Sequence, residues 1–303
     1  MNSKLLRKMP KVKGNLIPNA KISDFSWFKV GGNAELLFEP ADKEDLLFFL
    51  KNLGKDLDVF VIGGASNILI RDGGIPGVTI KLKGVFDKIS HTNKHLKVGA
   101  AVKNMALSNF AKKHDLIGYE FLSGIPGTIG GAVRMNSGAY GKTISNILKN
   151  IEVVDGNKGI YQITKEQLKM EYRKVRFPRK AVILNATFNK IKNINEDIHT
   201  KIIDIKNLRK NSQPVKSLTG GSTFKNPKGF KAWELIDAAG CRGLCIGGAK
   251  VSEMHTNFII NFNNASANDI EQLGEEVKNR VYDNVGVNLE WEIIRVGRSE
   301  KEN

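Results

Sequence analysis

Two glycine-rich stretches of the chain carry residue types at spacings that packing alone does not ask for. VIGGASNILIRDGG sets Gly63, Gly64, Ala65, Ser66 and Asn67 directly after an apolar run, where bare backbone amides and small side chains can cradle a pyrophosphate. It is neither a G-x-G-x-x-G dinucleotide turn nor a P-loop, and an ordinary strand-to-strand turn is the bland alternative. SGIPGTIGGAVRMNSGAYG holds Gly124, Gly127, Gly130, Gly131, Gly138 and Gly141, with Thr128 among them and Arg134 as its one charged residue. Glycine loses the most entropy on folding, so this density implies close backbone approach to a flat or charged ligand, or several positive-φ positions. Two such loops, each after a strand, fit one large nucleotide cofactor better than two unrelated turns.

Ser222, in LTGGSTFKNP, follows a Gly-Gly pair that would expose its hydroxyl in a cleft. No G-x-S-x-G elbow or nearby histidine supports a nucleophilic triad, and a turn serine is the simple alternative. Arg173 in EYRKVRFPRK and Glu292 in LEWEII read, alone, as a solvated arginine and a strand-surface carboxylate. Cys241 and Cys245 supply neither a disulfide framework nor a four-ligand zinc set, so no metal is expected.

These residues need a mixed α and β framework. Asp42 suits the cap of a helix burying Leu46, Leu47, Leu50 and Leu53, and short strands are expected at 58–62, 68–70, 78–82, 96–102, 151–154 and 182–187. Helical spacing marks Met105, Leu107, Phe110 and Ala111, then Ile198, Ile202 and Ile205. Further helices are expected at 232–239 and at 266–284, the latter striped by Ile270, Leu273, Val277 and Val281 and stopped by Gly286. A last strand at 287–296 would turn Glu290 and Glu292 to one face and Leu289, Trp291 and Ile293 to the other.

The length of 303 residues suits about two domains, and no apolar run reaches membrane-spanning length, which points to a soluble, cytoplasmic chain with no membrane partner. The net charge of +16 comes from 36 lysines and 11 arginines scattered without a basic run. Small anionic ligands or plain composition account for it better than nucleic acid, and duplex DNA is expected to bind no tighter than the roughly 10⁻⁴ to 10⁻⁶ M of non-specific contact.

Taken together, VIGGASNILIRDGGIPGVTI, SGIPGTIGGAVRMNSGAYG, YRKVRF, GGSTFKNP, WELIDAAGCRGLCIGGAKVSEMHTNFIIN and LEWEIIRVG resemble, in order and spacing, the UDP-N-acetylenolpyruvoylglucosamine reductase (MurB) family of peptidoglycan synthesis. The resemblance spans about residues 20 to 298 and distinguishes this family from other flavin oxidases and dehydrogenases of the same fold. It implies an α+β chain with a two-lobed, PCMH-type FAD-binding domain and a smaller α+β substrate-binding domain. The expected divisions are a mobile basic leader at 1–20, an FAD-binding domain at 21–192 with lobes about 21–84 and 85–192, and a C-terminal domain at 193–303. FAD would be held noncovalently by Gly63, Gly64, Ala65, Ser66, Asn67, Gly124, Gly127, Thr128 and Gly131.

The resemblance also implies that NADPH reduces the flavin. Hydride then passes from flavin N5 to C3 of UDP-N-acetylglucosamine enolpyruvate, and Ser222 protonates C2 to give UDP-N-acetylmuramate. Arg173 matches the arginine that meets the developing enolate, and Glu292 the glutamate that polarises the substrate carboxyl; Lys225 and Asn226 become candidate substrate contacts. Where many members read Y-R-x-S-x-F, this chain has Val175 at the serine position. The short spacing from Ser123 to Ser222 fits the subtype without a tyrosine lid loop, and a monomer is expected.

Overall fold

Asp42 accepts a hydrogen bond from the Asp45 N–H at 2.7 Å and starts the helix Lys43–Asn52, as its residue type requires. Leu46 and Phe49 are its fully buried residues, while Leu47, Leu50 and Leu53 lie at the edge of the same core. The structure, a computed structural model, describes residues 3–54, 56–191 and 197–300.

Contacts divide the chain into two units. The first comprises Met1–Asn19, Leu36–Gly64 and Gly77–Leu208, and the second Ala20–Glu35, Ala65–Pro76 and Arg209–Asn303. This differs from the expected division. The expected boundary at 192–193 lies beside or within residues outside the described ones, and the contact division falls after Leu208 because Ile198 and Ile202 of the helix Ile198–Ser212 are buried in the first unit's core. Segments 20–35 and 65–76, expected in the FAD-binding domain, cluster with the C-terminal residues because Phe28, Val30 and Leu69 are buried there.

The first unit holds most of a four-stranded sheet in the order Asn15–Ala20, Ala34–Glu39, Ile75–Lys81, Val59–Ile62, its last pair parallel. Its five-stranded sheet is antiparallel throughout, in the order Gly159–Thr164, Leu148–Asp155, Val182–Asn189, His95–Gly99, Ile89–His91. The first twenty residues, expected to be mobile, include an edge strand. Leu5, Leu6, Met9, Val12 and Leu16 pack against the core of Phe38 and Phe49, so apolar burial offsets the entropy that the basic composition seemed to leave uncompensated.

The second unit is built on the helix Ala267–Val285. Ser266 and Asp269 form its capping box, Gly286 ends it with φ +67°, and Ile270, Leu273, Val277 and Val281 form the buried stripe. That stripe covers a four-stranded sheet in the order Leu218–Thr219, Ile259–Asn261, Ala249–Val251, Cys245–Ile246. The expected strand at 287–296 is interrupted: residues 290–292 run beside 223–225, whereas Ile294–Val296 pairs in parallel with Ile68–Ile70. The expected facing survives, since Leu289 and Ile293 are buried, Glu290 is exposed and Glu292 is half-buried.

The long helix is also tied by charge. Glu271 accepts two hydrogen bonds from Arg71, at 2.9 and 2.7 Å, and one from Arg295 at 2.9 Å. The Arg71 guanidinium beside it holds the Glu271 carboxyl below the usual glutamate range. A depressed carboxyl stabilises the fold fully above its unfolded pKa of about 4.3 and loses that contribution as pH falls through the lower folded value. Glu271→Gln is therefore expected to cost about 2 kcal/mol near neutrality and to flatten the acid limb of a melting-temperature profile below about pH 4. An unchanged acid limb would assign acid unfolding to other carboxyls. Among the described residues, no helix is long and apolar enough to cross a membrane.

Candidate active site

In the first unit the two glycine loops touch. A Cβ on Gly64 would stand 2.6 Å from the Gly127 Cα, and one on Gly63 would stand 2.6 Å from the Thr128 hydroxyl oxygen. Gly127 has φ +101°, which only glycine adopts without strain. Part of the glycine content thus serves loop-on-loop contact. The remainder leaves a notch: a Cβ on Gly131 would meet nothing nearer than Thr128 Oγ1 at 3.8 Å. The Ile129 and Gly130 N–H groups are taken by the carbonyls of Val102 and Ala100, so Thr128 and Gly131 offer the polar groups of this notch. Gly124 closes the 3₁₀ turn Glu120–Gly124 that leads into it. Bare backbone beside a hydroxyl fits a phosphate-bearing cofactor such as FAD.

Gly64→Ala forces backbone against backbone, which no rotamer relieves. The expected outcome is an FAD affinity at least about tenfold weaker and a stability loss of about 1–3 kcal/mol, read by cofactor titration and thermal unfolding. Gly54→Ala, whose Cβ would meet only Leu57 at 3.7 Å, is the matched control and is expected to be near neutral.

Ala65, Ser66 and Asn67 continue the first loop within the second unit. Ala65 is buried with φ +48° and accepts a hydrogen bond from the Trp27 N–H at 3.2 Å. Asn67 has its own protein partner, since Nδ2 donates to the Glu292 carbonyl at 3.0 Å.

Arg173 lies in the first unit at the tip of a tight turn in which Glu171 and Lys174 exchange both backbone hydrogen bonds. Its φ of +55° is costly for a side chain with a Cβ, on the order of 1–3 kcal/mol. Two contacts hold the turn and its tip. The buried Asn136 donates Nδ2 to the Glu171 carbonyl at 2.9 Å, and Arg173 Nη2 donates to the Gly138 carbonyl at 3.2 Å. The guanidinium also lies 5.0 Å from the Tyr172 ring centroid. Val175, two residues on, is buried in the core, so the position of the missing family serine is an apolar packing site here.

Ser222 and Glu292 both lie in the second unit, on neighbouring segments joined through Thr223. Thr223, next to the serine, accepts the Glu292 N–H at 2.8 Å, and Lys225 donates its N–H to the Glu290 carbonyl at 2.9 Å. Asn257 grips the other side: Thr223 N–H donates to its carbonyl at 2.8 Å, Phe224 N–H to Oδ1 at 2.9 Å, and Nδ2 donates to the Phe224 carbonyl at 2.8 Å. The serine is therefore half-buried on a fixed segment, after Gly221 with φ +86°. Among the described residues its hydroxyl has no hydrogen-bond partner. Thr223 and Asn257 carry this placement, and their roles could not be read from isolated polar residues in bends and turns.

The two candidate substrate contacts have structural work. Lys225 Nζ pairs with Glu290 at 3.0 Å, and Asn226 Oδ1 accepts the Ala232 N–H at 3.0 Å, capping a helix whose own cap residue, Lys231, cannot.

Residues 34–164 match the family model of an FAD binding domain, and residues 213–296 that of the UDP-N-acetylenolpyruvoylglucosamine reductase C-terminal domain. The chain is 47% identical over 290 residues to the UDP-N-acetylenolpyruvoylglucosamine reductase of Rickettsia conorii, covering 96% of this chain and 98% of that one. It is 45% identical to the reductase of Parvibaculum lavamentivorans over 97% of this chain and 94% of that one. The chain belongs to the UDP-N-acetylenolpyruvoylglucosamine reductase family. A crystal structure of the family, MurB from Thermus caldophilus, superposes with a TM-score of 0.81 at 30% identity, covering 95% of this chain and all of that one. The α+β architecture with an FAD-binding domain and a MurB C-terminal domain is thereby the family's own.

Proposed function

We propose that the chain is a UDP-N-acetylmuramate dehydrogenase, an FAD-dependent reductase of peptidoglycan precursor synthesis that converts UDP-N-acetylglucosamine enolpyruvate to UDP-N-acetylmuramate at the expense of NADPH. High identity over nearly the whole length of the R. conorii reductase supports the activity. The hydrogen bond from Glu292 to Thr223 carries the site assignment, because it sets a hydroxyl-bearing residue and a carboxyl-bearing residue on adjacent paired segments.

Gly63, Gly64, Ala65, Ser66, Asn67, Gly124, Gly127, Thr128 and Gly131 would hold FAD through backbone amides and small polar side chains. When bound, FAD supplies the hydride exchange between NADPH and the C3 carbon of the enol ether. The chain's own residues handle charge and proton. Arg173, permanently cationic, binds the substrate carboxylate and stabilises the negative charge that develops on it as C3 gains hydride. Ser222 Oγ donates its proton to C2; a serine hydroxyl is a weak acid, and it suffices because the enolate carbon is more basic and solvent replaces the proton.

Glu292 acts protonated or through water on the substrate carboxyl, since a bare carboxylate would repel it. Lys225 and Asn226 contribute at the edge of the substrate. The free thiols Cys241 and Cys245 suit a reducing, cytoplasmic setting, and the enzyme is read as a monomer without nucleic-acid or membrane partners.

The visible spectrum tests the cofactor. A yellow protein that releases FAD on acid or heat treatment is expected, and a protein that stays colourless after incubation with FAD would remove the basis of this reading.

A further inference from the structure

The main chain around Glu292 changes partner within three residues. Up to Glu292 it is paired with 223–225, and from Ile294 onward with Ile68–Ile70. Ile293, at the switch, gives its N–H to Thr223 over 3.4 Å, a long bond. A backbone carbonyl at such a switch lacks a ladder partner and needs another donor. For Glu292 that donor is the Asn67 side chain, Nδ2 to O at 3.0 Å, while the Asn67 carbonyl accepts the Ile294 N–H at 3.0 Å. One residue thus brackets Ile293 and holds the Glu292 carbonyl on one side of it, and it directly precedes the strand Ile68–Ile70, whose Leu69 and Ile70 are fully buried.

We infer that Asn67 is a positioning residue for Glu292, fixing the peptide that aims its carboxyl, in addition to any contact its loop makes with a cofactor. The inference rests on the role proposed above for Glu292. The neighbouring residues are anchored independently. Trp291 donates Nε1 to Glu275 at 2.7 Å and lies against Gly274, where a Cβ would come within 2.2 Å of its ring, and Ile293 is buried. Loss of the Asn67 amide therefore leaves the strand in place and removes one hold on the peptide that follows Glu292. Asn67→Asp is nearly isosteric and turns a donor facing a carbonyl into an acceptor facing it, which drives the peptide away.

The experiment compares Asn67→Asp, Asn67→Ala, Glu292→Gln and the Asn67→Asp/Glu292→Gln double variant of the full FAD-loaded chain. Measured are FAD dissociation, bleaching of the flavin band by NADPH and its recovery on adding the enolpyruvyl substrate, with thermal unfolding as the check on folding. Both Asn67 variants are expected to slow recovery by roughly 10- to 100-fold, a larger loss than any they cause in FAD affinity or bleaching. In the Glu292→Gln background, Asn67→Asp is expected to add no more than about a twofold further loss, because it acts through the group already removed. Full additivity of the two losses would overturn the inference, and so would losses in FAD affinity and bleaching as large as the loss in recovery, which would make Asn67 a cofactor ligand alone. If Asn67→Asp unfolds, Asn67→Ala carries the same comparison. Wild-type recovery in Glu292→Gln would contradict the assignment of Glu292 itself, a failure visible without any Asn67 variant.

Discussion

Ser222→Ala is expected to leave FAD binding and NADPH-driven bleaching unchanged and to slow substrate-driven recovery of the flavin band by at least roughly 10²-fold. The selectivity follows from the proposed role. Ser222 gives a proton to substrate carbon and has no part in the exchange with NADPH. Its segment is clamped by Asn257 on one side and Glu292 on the other, so truncating an unbonded hydroxyl removes a proton without moving the backbone. Ser222→Cys should restore part of the rate, because a thiol still donates. Stopped-flow absorbance resolves the two phases, and wild-type recovery in Ser222→Ala would assign the proton to another residue.

Arg173→Ala is expected to slow the same phase by roughly 10²- to 10³-fold, the range seen when one preorganised donor to a developing anion is removed. It differs from the serine variant in also weakening substrate binding, since a carboxylate partner serves ground and transition states alike. Arg173→Lys keeps the charge and loses the planar fork, so its loss should fall between the two. A wild-type substrate affinity in Arg173→Ala would show that the carboxylate is held elsewhere. The strained φ of +55° strengthens the expectation, because a fold keeps such a conformation where surrounding contacts impose it, here Asn136 on the turn and Gly138 on the guanidinium.

Periodicity made the helices legible. Ile198, Ile202 and Ile205 are buried as the spacing requires, and the stripe from Ile270 to Val281 faces the second core. The short strands at 68–70 and 182–187 were legible from apolar runs between turn signals. What spacing could not supply was partnership. The strand 68–70 follows its loop directly in sequence, yet its partner is Ile294–Val296, more than two hundred residues away, and this draws segment 65–76 into the second unit. The same non-local pairing splits the expected strand 287–296 and is invisible to a period-2 pattern, which reports faces and not neighbours.

The candidate site was legible in a similar, partial way. Glycine density announced the loops, but not that Gly64 and Gly127 are glycines partly to touch each other. The serine, arginine and glutamate stood out only through the family's ordered motifs, because each residue type is common on surfaces. Asn226 and Lys225 read equally well as ligand contacts and as a cap and an ion-pair partner, and geometry shows the second use. The loss of the family serine at Val175 is accommodated by burial in an apolar core, so no polar group is stranded there.

In the proposed reaction one substrate draws electrons from NADPH through this chain. NADPH oxidation at 340 nm, a property of the nucleotide, is followed anaerobically with catalytic amounts of the FAD-loaded protein, with and without UDP-N-acetylglucosamine enolpyruvate. Without the enolpyruvyl sugar, oxidation is expected to stop after about one equivalent of NADPH per bound flavin. With it, NADPH is consumed to the extent of the sugar added, and UDP-N-acetylmuramate appears in equal amount. Sustained oxidation that ignores the sugar, or consumption with no UDP-N-acetylmuramate formed, would contradict the proposed reaction.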